Sequence, residues 1–484
     1  MTRPLLILLV AGTALSGCTM APAYERPALP VATAWPADAA APTPDAAGQD
    51  HAASTGQDGL AASAAGLAWQ DVVRDDRLRQ LVMLALANNR DLKVAVLNID
   101  KARAQYRIQR ADLLPGVDAG ASYTRSRTPA SVSSTGASID TRQYEANLGV
   151  TSYEVDLFGR VRSLTTSALQ SYLAIAETRR SVELSLIAET VSAYLTLAAD
   201  REQLAISRDT LATREEALAV IQRRFDAGTA SRLELRQSQT LAEQARADVA
   251  TATATADQSR NALRLLAGAE LPEALLPSDL DDAAIAGDLP AGLPAEVLTR
   301  RPDVLAAEHE LKARNADIGA ARAAFFPRIT LTGSAGSAST DLDGLFTSGT
   351  GAWSFLPQIS LPIFAGGANI ANLRGAEASQ QIAVATYEKT IQTAFREVAD
   401  ALAVRATIDT RVTASERQLE AARESRDLAK ARYERGVDDY LVLLDAERTL
   451  YSARQTLIQA RLLRASNRMT LYKTLGGGAP APTR

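Results

Sequence analysis

The residues able to do chemistry are few. The 484-residue chain has two histidines, His51 and His309, and one cysteine, Cys18. A hydrolytic triad or a zinc site needs a nucleophile with its base, or a cluster of ligands, within reach of one another. Neither histidine stands beside such a set, and one cysteine forms no internal disulfide. Carboxylates are plentiful, but they fall on helical patterns where a solvated face accounts for them. No phosphate-cradling glycine loop is present, so any work the protein supports draws its energy from elsewhere. The sequence predicts no enzyme, no cofactor and no metal site. Lys+Arg number 52 against 56 Asp+Glu, a net charge of −4, which offers no basic face to nucleic acid.

Cys18 is the exception. Arg3 supplies a positive start, and Leu5 to Leu15 an apolar run too short to span a bilayer. The run ends in Leu15-Ser16-Gly17-Cys18, which resembles a bacterial lipobox, where cleavage precedes a cysteine that is then acylated. An ordinary signal peptide with an incidental cysteine is the simpler alternative. Residues 1–17 are read as a lipoprotein signal peptide and Cys18 as the lipidated residue, since several acyl chains anchor stably where one is marginal. Thr19 follows rather than the Asp of an inner-membrane retention signal, which favours the outer membrane. Residues 18–66, rich in Ala and Pro, read as an extended strap rather than a core-former.

The elements beyond the strap come in a repeating programme. Residues 67–267 read as helices broken near Asn89, a β-hairpin over 116–155, a long helix over 160–225 and a helix over 230–267. Arg160 to Phe225 contains neither Gly nor Pro. Leu184, Ile187, Val191, Tyr194 and Ala198 give it a heptad seam, and Leu204, Leu211, Leu218 and Phe225 recur every seven residues. A Pro-punctuated linker spans 268–293. Residues 294–475 repeat the order, with a hairpin over 328–363, a long helix over 367–435 and a closing helix over 438–475 carrying Leu443, Leu450, Leu457 and Leu471. A tail covers 476–484. Five matching segments, Pro115 with Pro327 and Gly228 with Gly436 among them, are offset by roughly 210 residues, the mark of a duplication.

The hairpins have period two. Val117, Ala119, Ala121, Tyr123, Tyr144, Ala146, Leu148 and Val150 alternate with polar or small residues, and the phase changes near Thr151-Ser152, where a bulge fits. Ser122, Thr124, Glu145, Asn147, Thr330 and Thr332 make a polar face. Trp353, Phe355, Ile359, Leu361 and Ile363 line one face of the last strand. Strands of about 10 residues are long enough to cross a bilayer. Four strands cannot close, and membrane barrels need about eight or more. A barrel would therefore be shared between chains, eight strands from two copies or twelve from three. A soluble β-sandwich flanked by coiled coils fits the same pattern, and the helices alone fit either a tube or a solid rod.

Taken together, the lipobox, the duplicated halves and several segments resemble the TolC-like outer-membrane factors of bacterial efflux systems, in the OprM/NodT lipoprotein branch. The segments are Leu157-Phe158-Gly159-Arg160, Arg300-Arg301-Pro302-Asp303, Ala323-Ala324-Phe325-Phe326-Pro327, Tyr387-Glu388-Lys389, Gly436 to Leu441, and Leu444-Asp445-Ala446. The resemblance covers almost the whole chain. It implies a mixed α and β fold, with a trimeric twelve-stranded transmembrane β-barrel continuous with a long periplasmic α-helical barrel. It also implies a passive multidrug exit duct in the outer membrane, completed by a periplasmic adaptor and an inner-membrane proton-driven pump. Ducts for secreted polypeptides or metal ions share that architecture, and a non-conducting periplasmic coiled-coil scaffold is the alternative of a different class.

The same resemblance assigns sites. Two helix–turn–helix tips, with Asp226, Gly228 and Thr229 in the first and Gly436, Val437 and Asp438 in the second, would dock the adaptor. Leu441 and Asp445 would narrow the lumen, repeated by symmetry as an apolar ring and a carboxylate ring favouring cations. Arg448 is placed to pair with a carboxylate at this gate.

Overall fold

The computed structural model describes residues 19–32, 34–35, 67–287 and 297–477. The expected signal peptide, the acylation site Cys18, most of the strap and the tail beyond 477 lie outside the described residues. Two short helices come first, α1 (Trp69–Val72) and α2 (Asp76–Asn88), then α3 (Arg90–Ala111). Strands β1 (Asp118–Thr128) and β2 (Ile139–Glu154) lead into α4 (Arg160–Asp226) and α5 (Arg232–Ala267). The second half gives α6 (Pro302–Ala323), β3 (Arg328–Ser339), β4 (Gly351–Ser360), α7 (Ala368–Glu434) and α8 (Tyr440–Thr474). Helices α4 and α7 have 67 residues each, roughly 100 Å at 1.5 Å per residue. The chain divides into two compact units, residues 1–28, 98–176 and 306–388 in one and 29–97, 177–305 and 389–484 in the other.

In the second unit the expected seam is the core. Leu184, Ile187, Val191, Tyr194 and Ala198 are buried against Leu78, Leu81, Val82, Leu263, Met469 and Tyr472. Full burial of each large apolar side chain contributes about 1.5–3 kcal/mol. The sevenfold series expected further along α4 departs from expectation. Leu204, Leu211, Leu218 and Phe225 are only half-buried, while Ser207, Arg214 and Ile221 occupy the buried register. Along α8, Leu443, Leu450 and Leu471 are buried and Leu457 is half-buried.

The duplication shows in two corners built with different chemistry. In the first half Asn89 caps α3 by accepting from Leu92 N–H at 2.9 Å, while its amide donates to Leu266 O at the end of α5. In the second half Arg301 stands in that place. It donates to Thr474 O at the end of α8 and to the carboxylates of Asp303 and Glu397. Three groups thus hold one buried guanidinium through four hydrogen bonds, as a buried charge requires.

The other unit contains one four-stranded antiparallel sheet in the order β1-β2-β3-β4. Sequence patterning gave two separate hairpins; strands β2 and β3, from different halves, pair and join them. Register puts Ser122 opposite Glu145, and Asn147 opposite Gly336 beside Ser334 and Thr332, so the six polar residues share a face with Ser354 and Gln358. The other face carries Tyr123, Tyr144, Leu148, Leu331, Phe355, Trp353 and Ile359. The pairing shifts between Val150 and Tyr153, where Ser152 has φ 54° and donates its N–H to Thr332 Oγ1. This irregularity returns Tyr153 to the apolar face, opposite Leu331.

The apolar face is bare. Trp353 is 80% exposed and Ile359 70%. An antiparallel sheet in water normally covers one face; among the described residues this one leaves Trp353, Phe355 and Ile359 exposed, and β1 and β4 each keep one edge without a paired strand.

Residues 19–28 run along α6. Pro22 O accepts from Asn315, Tyr24 donates to Glu308, and Arg26 forms a fork on the same carboxylate at 2.7 and 3.0 Å. Gly319 lets this segment lie close, since a Cβ there would stand 2.7 Å from Ala21 N.

Candidate functional site

Both tips lie in the second unit and are built alike. At the first, Gly228 adopts φ 75°, its N–H donates to Phe225 O, and Thr229 N–H reaches back to Arg224 O at 2.8 Å. At the second, Gly436 adopts φ 70°, its N–H donates to Tyr433 O, and Val437 N–H reaches Arg432 O at 2.9 Å. A left-handed glycine with these back-bonds ends a helix cleanly, because a Cβ would be strained there.

The restarts differ. Ser231 and Glu234 form a reciprocal capping box on α5. Asp439 caps α8 without a side-chain bond, and Asp438 instead takes a two-pronged contact from Arg432 across the turn. Hydrogen bonding from Arg432 holds the Asp438 carboxyl below its ordinary range. Asp226 accepts from Gln222. Thr229 also donates its hydroxyl to Arg224 O, and Val437 is 61% exposed.

One apolar cluster joins the two tips. Ile221, Leu235 and Leu241 pack with Ala429, Tyr440, Leu443, Leu444 and Ala446, with Phe225 and Tyr433 at the margin. Arg224 donates to the Tyr433 hydroxyl at 2.8 Å while lying over its ring. Leu441, Asp445 and Arg448 fall at spacings of four and three on α8, one face of the helix, and all three are exposed. Within the chain Asp445 and Arg448 make no ion pair with each other. The opposite face, Tyr440, Leu443, Leu444 and Ala446, is the buried one. The structure therefore places all three expected gate residues together, presented outward and free to meet another surface.

Among the described residues no three His, Cys, Asp or Glu side chains gather as metal ligands.

Comparison with known proteins decides the family. The family model described as "Outer membrane efflux protein" matches residues 81–269 and 293–477, one stretch in each half. The chain belongs to the outer membrane efflux protein family.

Within it, the chain is 46% identical to the probable efflux pump outer membrane protein TtgC of Pseudomonas putida, over 99% of this chain and 96% of that one. It is 46% identical to outer membrane protein OprJ of Pseudomonas aeruginosa, over 97% of this chain and 95% of that one. The crystal structure of the open state of the Neisseria gonorrhoeae MtrE outer membrane channel superposes with a TM-score of 0.82. It is 42% identical and covers 96% of this chain and 99% of its own. This efflux protein is thus an outer-membrane exit channel with the TolC-like fold, of mixed helix and strand.

Sequence reasoning missed residues behind the tip. Arg214 on α4 is buried, Glu447 on α8 is half-buried, and the two lie 3.1 Å apart. The signal was present: Ser207, Arg214 and Ile221 repeat every seven residues, as do Glu447, Arg454 and Arg461. Glu447 is among the helical carboxylates that sequence alone assigns to a solvated face.

Proposed function

We propose that three copies of this chain assemble into a passive duct for multidrug efflux, each giving four strands to one twelve-stranded barrel. That barrel would be continuous with a periplasmic tube of the long helices. The observation that carries this reading is the sheet itself, apolar on one face, polar on the other, with both edges open. In lipid an open edge leaves backbone groups unpaired at several kcal/mol each, and a closed ring removes both edges. A non-conducting coiled-coil scaffold has no use for an exposed Trp353 and Phe355 beside a row of Ser and Thr.

The periplasmic end would be closed by Leu441 as an apolar ring and Asp445 as a carboxylate ring, with Arg448 pairing to a carboxylate of a neighbouring copy. The tips at Asp226, Gly228 and Thr229 and at Gly436, Val437 and Asp438 would receive a periplasmic adaptor. An inner-membrane proton-driven pump supplies the energy that this chain has no residues to supply. Acylation at Cys18 would add a lipid anchor. The test is conduction in planar bilayers. Replacing Leu441 and Asp445 together by Ala is expected to raise single-channel conductance, and an unchanged value would remove them from the gate.

A further inference from the structure

The apolar face of the sheet ends in charge. Strands β1 and β2 keep an unbroken register from Asp118 opposite Gly149 to Thr128 opposite Ile139. Side chains two residues apart therefore stay on one face. The face of Tyr123 and Tyr144, whose rings lie 4.6 Å apart, continues into Arg125, Arg127, Asp140 and Arg142. Among the described residues of the four strands, these four are the charged side chains on the apolar face. Glu154 and Arg328, at the opposite end, belong with Thr330 on the polar face.

The charged rim is the end where the chain turns. The chain enters β1 from α3 and leaves β2 into α4 at one end, and the segments between β1 and β2 and between β3 and β4 close the other. From Ile329 to Ser339, which stands opposite Tyr144, β3 advances about 34 Å at about 3.4 Å per residue, and a strand tilt of about 40° reduces this to about 26 Å of height. The lipid-facing band of a membrane barrel is about 25 Å tall and closes in aromatic girdles. Tyr123 and Tyr144 stand where the far girdle belongs, and the arginines stand just beyond it, at the depth of lipid headgroups.

These arginines lack counter-charge. Arg125 lies directly opposite Arg142, and like charges opposed across two strands destabilise the pairing. Both are exposed, and neither guanidinium has a hydrogen bond or ion pair among the described residues. Arg127, its side chain 70% exposed, approaches Asp140 only at 4.0 Å. Asp341 and Asp343, on the segment between β3 and β4, pair with none of the three. A phosphate between Arg125 and Arg142 would relieve the repulsion and take charge-assisted bonds from both forks.

We propose that this rim is a docking surface for lipopolysaccharide, with lipid phosphates held by Arg125, Arg142 and Arg127 and acyl chains laid over Tyr123 and Tyr144. The proposal rests on the barrel reading above. The turn end points away from the periplasmic helices, and the outward leaflet of an outer membrane presents its phosphates on saccharide lipid. A glycerophospholipid of the inward leaflet would meet the helix end, where the apolar face carries no arginine.

The test titrates detergent-purified full-length protein with fluorescent lipopolysaccharide, with dephosphorylated lipopolysaccharide and with phosphatidylglycerol. Arg125→Gln/Arg142→Gln should weaken lipopolysaccharide binding by about tenfold or more, the scale of one charge-assisted hydrogen bond. Arg125→Lys/Arg142→Lys should lose less, and the unmodified protein should bind the dephosphorylated lipid as weakly as the Gln variant binds the intact one. Unchanged binding in the Gln variant overturns the proposal, as does equal affinity of the unmodified protein for phosphatidylglycerol. Should the Gln variant assemble poorly, the dephosphorylated lipid carries the test on the unmodified protein, and undiminished binding there overturns it. Asp341→Asn/Asp343→Asn should assemble normally; failure of assembly in this variant and the Gln variant alike would assign the arginines to the adjoining copy and overturn the proposal. Ser134→Cys in a Cys18→Ser background, treated on whole cells with an impermeant maleimide, separates the site from the reading beneath it. Labelling together with unchanged lipid binding in the Gln variant would strike the arginine site alone, and no labelling would strike the outward-facing barrel with it.

Discussion

Glu308 is 4% exposed yet ionic, held by Tyr24, by the fork from Arg26 and by Lys312 at 2.9 Å. Burial alone would raise its pKa, but the bonds from Lys312 and Arg26 outweigh it and keep the carboxyl below its usual range. A depressed carboxylate contributes stability that is present above its ordinary pKa and lost as pH falls through the folded value. The segment 19–28 should therefore stay docked on α6 at neutral pH and loosen only well below about pH 4.3. Glu308→Gln should loosen it at neutral pH, at a cost of about 2 kcal/mol for charge-assisted bonds. A spin label on exposed Glu25, as Glu25→Cys in a Cys18→Ser background, reads this out as nitroxide mobility. Equal mobility in both proteins at pH 7 would show that the carboxylate does not hold the segment. Nothing in the sequence marked this contact, because its partners lie some 280 residues apart.

At the scale of elements, helix ends and seams were legible because they follow local rules. Gly228, Gly268 and Gly436 each close a helix with positive φ, and the expected boundaries fall within about two residues of those observed. The strand faces were legible too, down to the phase change that Ser152 resolves. The pairing of β2 with β3 was not, since period two sets a face and says nothing about which distant strand sits alongside. The buried register of α4 was misread for a related reason: periodicity finds apolar stripes, and here the stripe passes through Ser207 and Arg214. Glycines at helix ends allow a direct comparison. Gly228→Ala meets open space and should cost only the left-handed backbone strain, about 1–2 kcal/mol. Gly268→Ala would also drive a Cβ to 2.5 Å from Asn88 O, against the backbone of the α2–α3 corner. Thermal unfolding followed by helical circular dichroism should show a clearly lower Tm for Gly268→Ala. Equal losses would mean that the corner relaxes freely.

The whole molecule poses a closure problem, and its answer is a number of copies. Strand β1 at one edge and β4 at the other each leave a ladder of unpaired groups, and in the proposed duct β4 of one copy would meet β1 of the next. If every copy repeats that contact, the ring closes when the strand count suits the curvature, and a heterologous contact that fails to close grows into a filament. Cysteines on the polar face can count the copies. In a Cys18→Ser background, Ser122→Cys on β1 is combined in turn with a cysteine at Ala352, Ser354, Leu356 or Gln358 on β4, which spans the possible registers. In at least one combination, oxidation in membranes should give covalent species of two and three chains on denaturing gels, and none larger. A series ending at two chains would mean an eight-stranded barrel, and one climbing past three would mean an open assembly; either would refute the twelve-stranded duct. Cys18→Ser itself should not prevent the three-chain species, because the strands that hold the ring in lipid do not depend on an acyl chain.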